Sequence, residues 1–392
     1  MSETSKVRAI CFHLPQYHPI RENDEWWGKG FTDWTNVART RPRFKDHYQP
    51  HLPADLGFYD LRLPEAREAQ AELARQHGIH GFCYYHYWFN GRRLLERPFN
   101  EILASGQPSF PFCLCWANEN WTRRWDGQER DVLLEQNYSD EDDLNHIRWL
   151  ANAFRDPRYI RVEGKPIFLV YRLSRLPNPA RSVEIWRNEA SALGVGDIFI
   201  CNVESMPSEH GLAPLCKLDG TVEFAPDWDA LPPQLRGNWL TRKLSRNPKL
   251  LRTAGKLGLT EPWLVEDRVF SYAEFVQKMT AKPDPSYLRF PGAMPSWDNS
   301  SRRKSGAFIF KGSTPELYEK LLRAAVRKAR SAHPQDPVVF INAWNEWAEG
   351  NHLEPCQRWG DGYLRATLRA LKGEGSNEVS PPHPVAISES HL

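Results

Sequence analysis

The chain has no excess of charge of either sign. Its 392 residues carry 51 Lys and Arg against 49 Asp and Glu, a net charge of +2. That balance gives no global field for nucleic acid or a membrane, and it puts nucleic-acid binding last among the function classes. No run of about 18 apolar residues long enough to span a bilayer occurs, and no secretory leader is expected, because Met1 to Lys6 runs straight into a strand. Cysteine occurs seven times, never as a CxxC pair and mostly inside apolar strand-like runs. This excludes a disulfide frame and a zinc site and predicts reduced, buried thiols in a cytoplasmic protein. No Gly-rich phosphate cradle follows a strand, and no repeat of solenoid period is present.

What the chain does have is 16 Trp and 31 Pro, within an ordinary profile of 41% apolar and 26% charged residues. Many of the Trp stand beside polar residues, which fits a lined groove better than a core alone. The stretch Val338 to Gly350 carries the clearest signal. It starts as a buried strand behind Pro337 and changes within two residues to Asn345-Glu346-Trp347-Ala348-Glu349-Gly350. Two carboxylates three residues apart converge if the chain turns helically after the strand. With indoles beside them they have the make-up of an acid/base pair working on a sugar. One carboxyl protonates a leaving oxygen and the other serves as base or nucleophile, while apolar rings raise the acid's pKa. Two solvated glutamates on an exposed loop are the plain alternative.

The same sequence of strand followed by aromatic and polar residues recurs. Strands are expected at Val7–Leu14, Ile79–Tyr85, Phe110–Cys115, Pro166–Tyr171, Ile198–Val203, Leu218–Phe224, from Phe290, and at Val338. Helical periodicity fills most of the intervals, as over Pro64–His77, Ser139–Phe154, Pro179–Leu193 and Pro315–Ser331. That alternation predicts an α/β fold, a (β/α)8 TIM barrel with long βα loops, whose active site is built from the loops after the strands. We expect one catalytic domain over residues 1–372, a long insertion at 225–287 between strands six and seven, and a disordered Ser-, Pro- and Glu-rich tail at 373–392. His47 and His51 have metal-ligand spacing, but Pro50 breaks the helix this needs. Asp227-Trp228-Asp229 has the Asp-x-Asp form of a metal–nucleotide element, a weak signal at three residues. Glu119, Arg123, Arg124 and Asp126 also read as a salt-bridged surface loop.

Laid out together, Leu14-Pro15-Gln16-Tyr17-His18-Pro19, Trp26-Trp27-Gly28, His47-Tyr48-Gln49-Pro50, Leu56 to Asp60, Tyr84 to Phe89, Trp116 to Trp121, Met294 to Asn299 and Asn345 to Gly350 resemble the WbsX-like proteins, a branch related to glycoside hydrolase family 99. The resemblance spans nearly the whole chain. It implies a (β/α)8 barrel and, by way of family 99, a retaining enzyme acting within α-mannan. It assigns Glu346 as the base that takes the proton of the sugar's 2-hydroxyl and Glu349 as the acid and then the base. The departure is Ala348, where the family 99 element carries His. WbsX-like proteins are usually described as glycosyltransferases of surface-polysaccharide gene clusters.

The expected function is therefore a retaining glycoside hydrolase on an α-linked, mannose- or rhamnose-like surface polysaccharide or O-antigen glycan, needing no metal or cofactor. A glycosyltransferase and a non-catalytic glycan-binding barrel are the alternatives. Glu346 and Glu349 are the catalytic candidates. The residues expected against an oligosaccharide are Tyr17, Trp27, Tyr48, Tyr85, His86, Trp88, Trp116, Asn118, Glu119, Trp121, Arg123, Trp297, Asp298, Trp344, Asn345 and Trp347.

Overall fold

The strands expected from sequence close into one parallel barrel. The computed structural model describes residues 6–123 and 128–373; for 123 and 128–131 this covers the backbone only. Arg124, Trp125, Asp126 and the proposed tail beyond Gly373 lie outside the described residues. The barrel strands are β1 (Arg8–His13), β2 (Ile79–Phe89), β3 (Phe112–Trp116), β4 (Lys165–Val170), β5 (Phe199–Glu204), β6 (Gly220–Glu223), β7 in two pieces (Arg289–Phe290 and Gly292–Ala293) and β8 (Val338–Ile341). Each pairs in parallel with its neighbours, and β1 pairs with both β2 and β8. Strands covered on both faces read as continuous apolar runs rather than alternating ones. Val338, Val339, Phe340 and Ile341 accordingly have no solvent exposure.

The barrel closes at β7. Its first piece pairs with β6 and its second with β8. Pro291 between them has no N–H to donate, so the ladder breaks for one residue while its carbonyl still accepts from the Phe340 N–H at 2.9 Å. Gly292 follows because the chain passes too close to β6 for a side chain. A Cβ there would lie 2.1 Å from the Glu223 carbonyl oxygen. Gly292→Ala is expected to lower the unfolding free energy by about 1–3 kcal/mol, read by denaturant titration.

Local signals set the helices. Ser139 accepts from the Asp142 N–H to cap Asp140–Phe154, whose first turn holds four acids. Thr314 caps Pro315–Ala332, with Pro at its first position. Gly78, at φ +80, ends Pro64–Gln76. Within 225–287 the chain forms helices Trp239–Leu244, Pro248–Lys256 and Trp263–Glu266, a strand Arg268–Ser271 paired with Phe308–Lys311, and the helix Tyr272–Ala281. Four residues of that last helix, Tyr272, Phe275, Val276 and Met279, are buried in the main core, so it serves as the barrel's sixth covering helix. All seven cysteines are buried and unpaired.

Candidate active site

After β8 the chain makes a small knot at the barrel mouth. Asn345–Glu346 pairs antiparallel with Asn351–His352, and Trp347–Glu349 forms one 3-10 turn. Gly350, at φ +56, turns the chain back, and a Cβ there would press on Asp298 at 3.1 Å. The short turn brings Glu346 and Glu349 to the same guanidinium. Arg302, at the end of the 3-10 turn Asn299–Arg302 after β7, reaches Glu346 Oε2 at 2.9 Å through Nη2 and Glu349 Oε1 at 2.8 Å through Nη1. Its Nη2 also lies 3.1 Å from Asp33 Oδ1. Asp33 opens the helix Asp33–Arg39 and is fully buried; its Oδ2 accepts from the Ala348 N–H at 3.1 Å and the Tyr17 hydroxyl at 3.2 Å.

Three carboxylates therefore share Arg302, with Arg303 also acting on Glu349, and the local electrostatics follow from that excess of negative charge. Burial pushes Glu346 up to about 8; the charges of Glu349 and Asp33 push the same way and Arg302 opposes them. Glu349 is also raised, first by burial and then by Asp33, again against Arg302. The Glu349 side chain is the more open of the two, 20% against 8% exposed. Such a pair keeps a proton at neutral pH, which is what acid/base work requires.

The surrounding wall is aromatic, and strand alternation decides which rings belong to it. Tyr85 and Tyr87 are half-buried on the inward face of β2. Both phenols are raised by burial, and the charge of Glu346 raises each further. Tyr171, just past β4, stands edge-on to Tyr85 at 6.2 Å and feels the charges of Glu119 and Glu349. Trp121, in the short strand Trp121–Arg123, is edge-on to Tyr87 at 5.1 Å and to Trp26 at 5.7 Å. Glu119 pairs with Arg172 at 2.6 Å.

The even residues of β2 go the other way, which corrects the sequence reading. His86 and Trp88, expected against the sugar, lie in the helix layer. His86 meets His146 at 3.0 Å and stacks on Trp149, while the Trp88 indole donates to Asp142 at 2.9 Å. Trp116 is buried beside them, donating to the Trp88 carbonyl at 3.1 Å and facing Trp186. Trp344 is fully buried against Phe82. Trp347 is fully buried too, stacked on His352 with its indole donating to Glu354 at 2.6 Å. These three indoles belong to the core and not to an open groove, because their polar neighbours face elsewhere.

Asn118 and Asn345 are backbone clamps. Asn118 accepts from the Arg172 N–H at 2.8 Å and donates to its carbonyl at 2.9 Å. Asn345 holds Leu14 in the same way, at 2.7 and 3.0 Å. Tyr17 is buried under the turn, its hydroxyl set between Asp33 and the Asn345 carbonyl. Trp27 is half-buried beside Phe31. The Arg123 side chain lies outside the described residues. Tyr48, Trp297 and Asp298 line a second pocket with His47, His51 and His352. There Asp298 meets His47 at 2.6 Å. Burial opposes the Asp298 charge, yet His47, Ser300 and Gln49 together hold its carboxyl below the usual value.

Neither metal signal holds up as a built site. His47 and His51 take different partners, Asp298 and His352. Asp227 and Asp229 come within 4.8 Å of His210, the spacing of a possible ion site. Asp227, however, is already paired to Lys282 at 2.5 Å, and its Oδ1 accepts from the Asp229 N–H.

Sequence reasoning missed Arg302, Asp33, Trp26, Tyr87 and Tyr171. Period two along β2 would have found Tyr87, since it shares a face with Tyr85. Arg302 sits in Ser300-Ser301-Arg302-Arg303-Lys304, which reads as a solvated basic loop.

Comparison with known proteins fits this geometry. The sequence family described as Glycosyltransferase WbsX matches residues 9–367. Two uncharacterized WxcX proteins, from two strains of Xanthomonas campestris pv. campestris, are 42% identical over 379 residues, which is 95% of this chain and 50% of theirs. The chain thus spans about half the length of the curated relatives it matches. Among solved structures, the GH99 endo-alpha-mannosidase from Bacteroides thetaiotaomicron superposes with a TM-score of 0.53 at 14% identity, covering 93% of this chain and 96% of that one. A chain described as a glycoside hydrolase-like protein gives 0.55 at 14% identity, covering 94% and 95%. At that identity the likeness is one of fold.

Proposed function

The chain belongs to the WbsX glycosyltransferase family, and on that footing we propose that it is a retaining glycoside hydrolase acting on an α-linked, mannose- or rhamnose-like surface glycan. The observation that carries the reading is the pair of carboxylates, buried Glu346 and half-buried Glu349, bridged by Arg302 at the carboxyl end of β8. The barrel shared with an endo-alpha-mannosidase supports the substrate class.

In this reading the sugar stacks on the half-buried rings of Trp121 and Trp26, and Tyr85, Tyr87 and Tyr171 border the bond to be broken. Glu349 gives its proton to the glycosidic oxygen as the bond from C1 to that oxygen breaks. Glu346 takes the proton of the 2-hydroxyl, whose oxygen closes onto C1. Water then opens the strained ring at C1, yielding its proton to Glu349, and Glu346 returns a proton to O2. Both carboxyls end as they began. The more open Glu349 suits the residue that meets both leaving group and water. Arg302 keeps both carboxylates ionisable in a buried site and fixes their directions.

The transferase reading draws on the family description. Against it, the Asp-x-Asp element has its first carboxylate taken up by Lys282. The two are separated by incubating the protein with an α-mannose and α-rhamnose oligosaccharide panel in oxygen-18 water, with and without nucleotide sugars. Shortened glycans that carry the heavy oxygen and form without donor are expected. Lengthened glycans that form only with donor would replace the hydrolase reading with the transferase one.

A further inference from the structure

The near-zero net charge of the chain hides a strongly one-sided segment. From Arg236 to Thr260 there are seven Lys and Arg and no Asp or Glu. All seven basic residues are exposed. Helices Trp239–Leu244 and Pro248–Lys256 carry most of them. The same segment displays Trp239 and Leu257, each 71% exposed, with Leu250 and Leu259 at 53%. Of the nine large hydrophobic residues exposed among the described residues, five fall between Trp239 and Val265.

This apolar surface is not an unfolded remnant. Leu251 and Leu264 are turned inward and buried. Thr260 donates to the Leu251 carbonyl at 2.8 Å, the Glu261 N–H donates to Thr241 at 2.9 Å, and Asn238 donates to the Leu259 carbonyl at 3.1 Å. The lobe therefore has its own interior, and a second apolar row remains outside. Leu250 and Leu257, the latter capping the helix Pro248–Lys256, are seven residues apart and so share one side, with Lys249 and Lys256 along the adjoining side, while Arg252 turns away to Glu266 at 2.6 Å. Trp and Leu beside Lys and Arg, with no acid between Arg236 and Thr260 and with Glu266 engaging Arg252 alone of the seven basic side chains, is the composition of helices that lie in a lipid interface. A free polyanion would be met by the basic side chains alone and would leave the Trp and Leu in water.

We propose that this lobe seats the protein on an anionic phospholipid surface, with Trp239, Leu250, Leu257 and Leu259 in the headgroup region and the basic side chains on lipid phosphates. Attachment is peripheral, since no helix of the described residues is long and apolar enough to cross a membrane. The lobe follows β6 and so lies at the same barrel end as Glu346 and Glu349. It is tied to the loop of Arg302 by Arg43, which bonds Asp267 at 2.6 Å and the Ser300 carbonyl at 2.9 Å. Membrane seating stands independently of whether the glycan is cut or extended.

The test is flotation of the full chain with vesicles of phosphatidylcholine alone and of phosphatidylcholine mixed with phosphatidylglycerol. The protein is expected to float with the mixed vesicles, and less so as salt rises. A variant carrying Arg242→Ser and Lys243→Ser should lose about 30-fold in partition, each basic residue near such a surface being worth about fivefold. A variant carrying Trp239→Ser and Leu257→Ser should lose about tenfold or more. Both positions face solvent, so unchanged melting temperatures confirm that the fold is kept. Failure to float with the mixed vesicles would overturn the proposal, as would either variant floating as well as the parent. Retention on heparin without flotation would reassign the lobe to anionic polymers.

Discussion

Glu349→Gln is expected to fold, to hold its glycan and to lower turnover by about 10²–10⁴-fold, the usual contribution of a positioned general acid. The amide keeps an oxygen to accept from Arg302 but has no proton to give. Two measurements separate this from a structural loss. Glycan affinity by calorimetry should be nearly unchanged. A substrate whose leaving group needs no protonation should recover its first step in Glu349→Gln and not in Glu346→Gln, where the base is missing. Full activity in Glu349→Gln would sink the assignment. In the parent enzyme the working form holds one proton on the pair. The two glutamates titrate together as one pair that exchanges its proton, burial raising both, with the higher value, about 8, at Glu346. Activity is therefore expected to persist through neutral pH while Glu349 can draw the shared proton, and to fall as the pair loses it, toward pH 8. It also falls at low pH, where both carboxyls are protonated.

Arg302→Met should lower kcat/KM by about 10²–10³-fold, the range for loss of a preorganised charge-stabilising group. Its sign on the pH profile is distinctive. Arg302 lowers the pKa of both glutamates, so removing it raises them and moves both limbs of the profile to higher pH. The substitution also leaves Asp33 buried without its cation, at a stability cost of about 3–5 kcal/mol, which differential scanning calorimetry would read. Arg302→Lys keeps the charge and loses the fork, so the limbs should stay near the parent's while the rate drops. A profile that does not move in Arg302→Met would remove Arg302 from the account.

The fold was legible because a doubly covered parallel strand cannot hide. Val338 to Ile341 and Phe112 to Cys115 are apolar without interruption, and each is followed at once by a change to polar and aromatic residues. Even β7, broken by Pro291, was visible at Phe290. The position of Glu346 and Glu349 at the barrel mouth was legible for the same reason, as carboxylates directly after a buried strand. Arg302 was not, because Ser-Ser-Arg-Arg-Lys looks the same whether its first arginine points to solvent or into three carboxylates. Its side chain is only 12% exposed, and long-range folding alone reveals that. Asp33 resembled an ordinary acid at a helix start. Trp116, Trp344 and Trp347 were misread because polar neighbours in sequence were taken as neighbours in space. In strands and tight turns, adjacent residues face opposite compartments.

That opposition within β2 has an evolutionary consequence. Tyr85 and Tyr87 face the charge of Glu346 at the barrel mouth, whereas His86 and Trp88, interleaved with them, join barrel to helix through His146 and Asp142. On the function proposed above, selection on the odd positions acts on what the enzyme recognises, and selection on the even positions acts on whether it folds. A lineage can therefore drift to a new glycan through 85 and 87 while 86 and 88 stand still. Relatives that differ in substrate should show that alternation as a two-residue beat of change and constancy along a single strand.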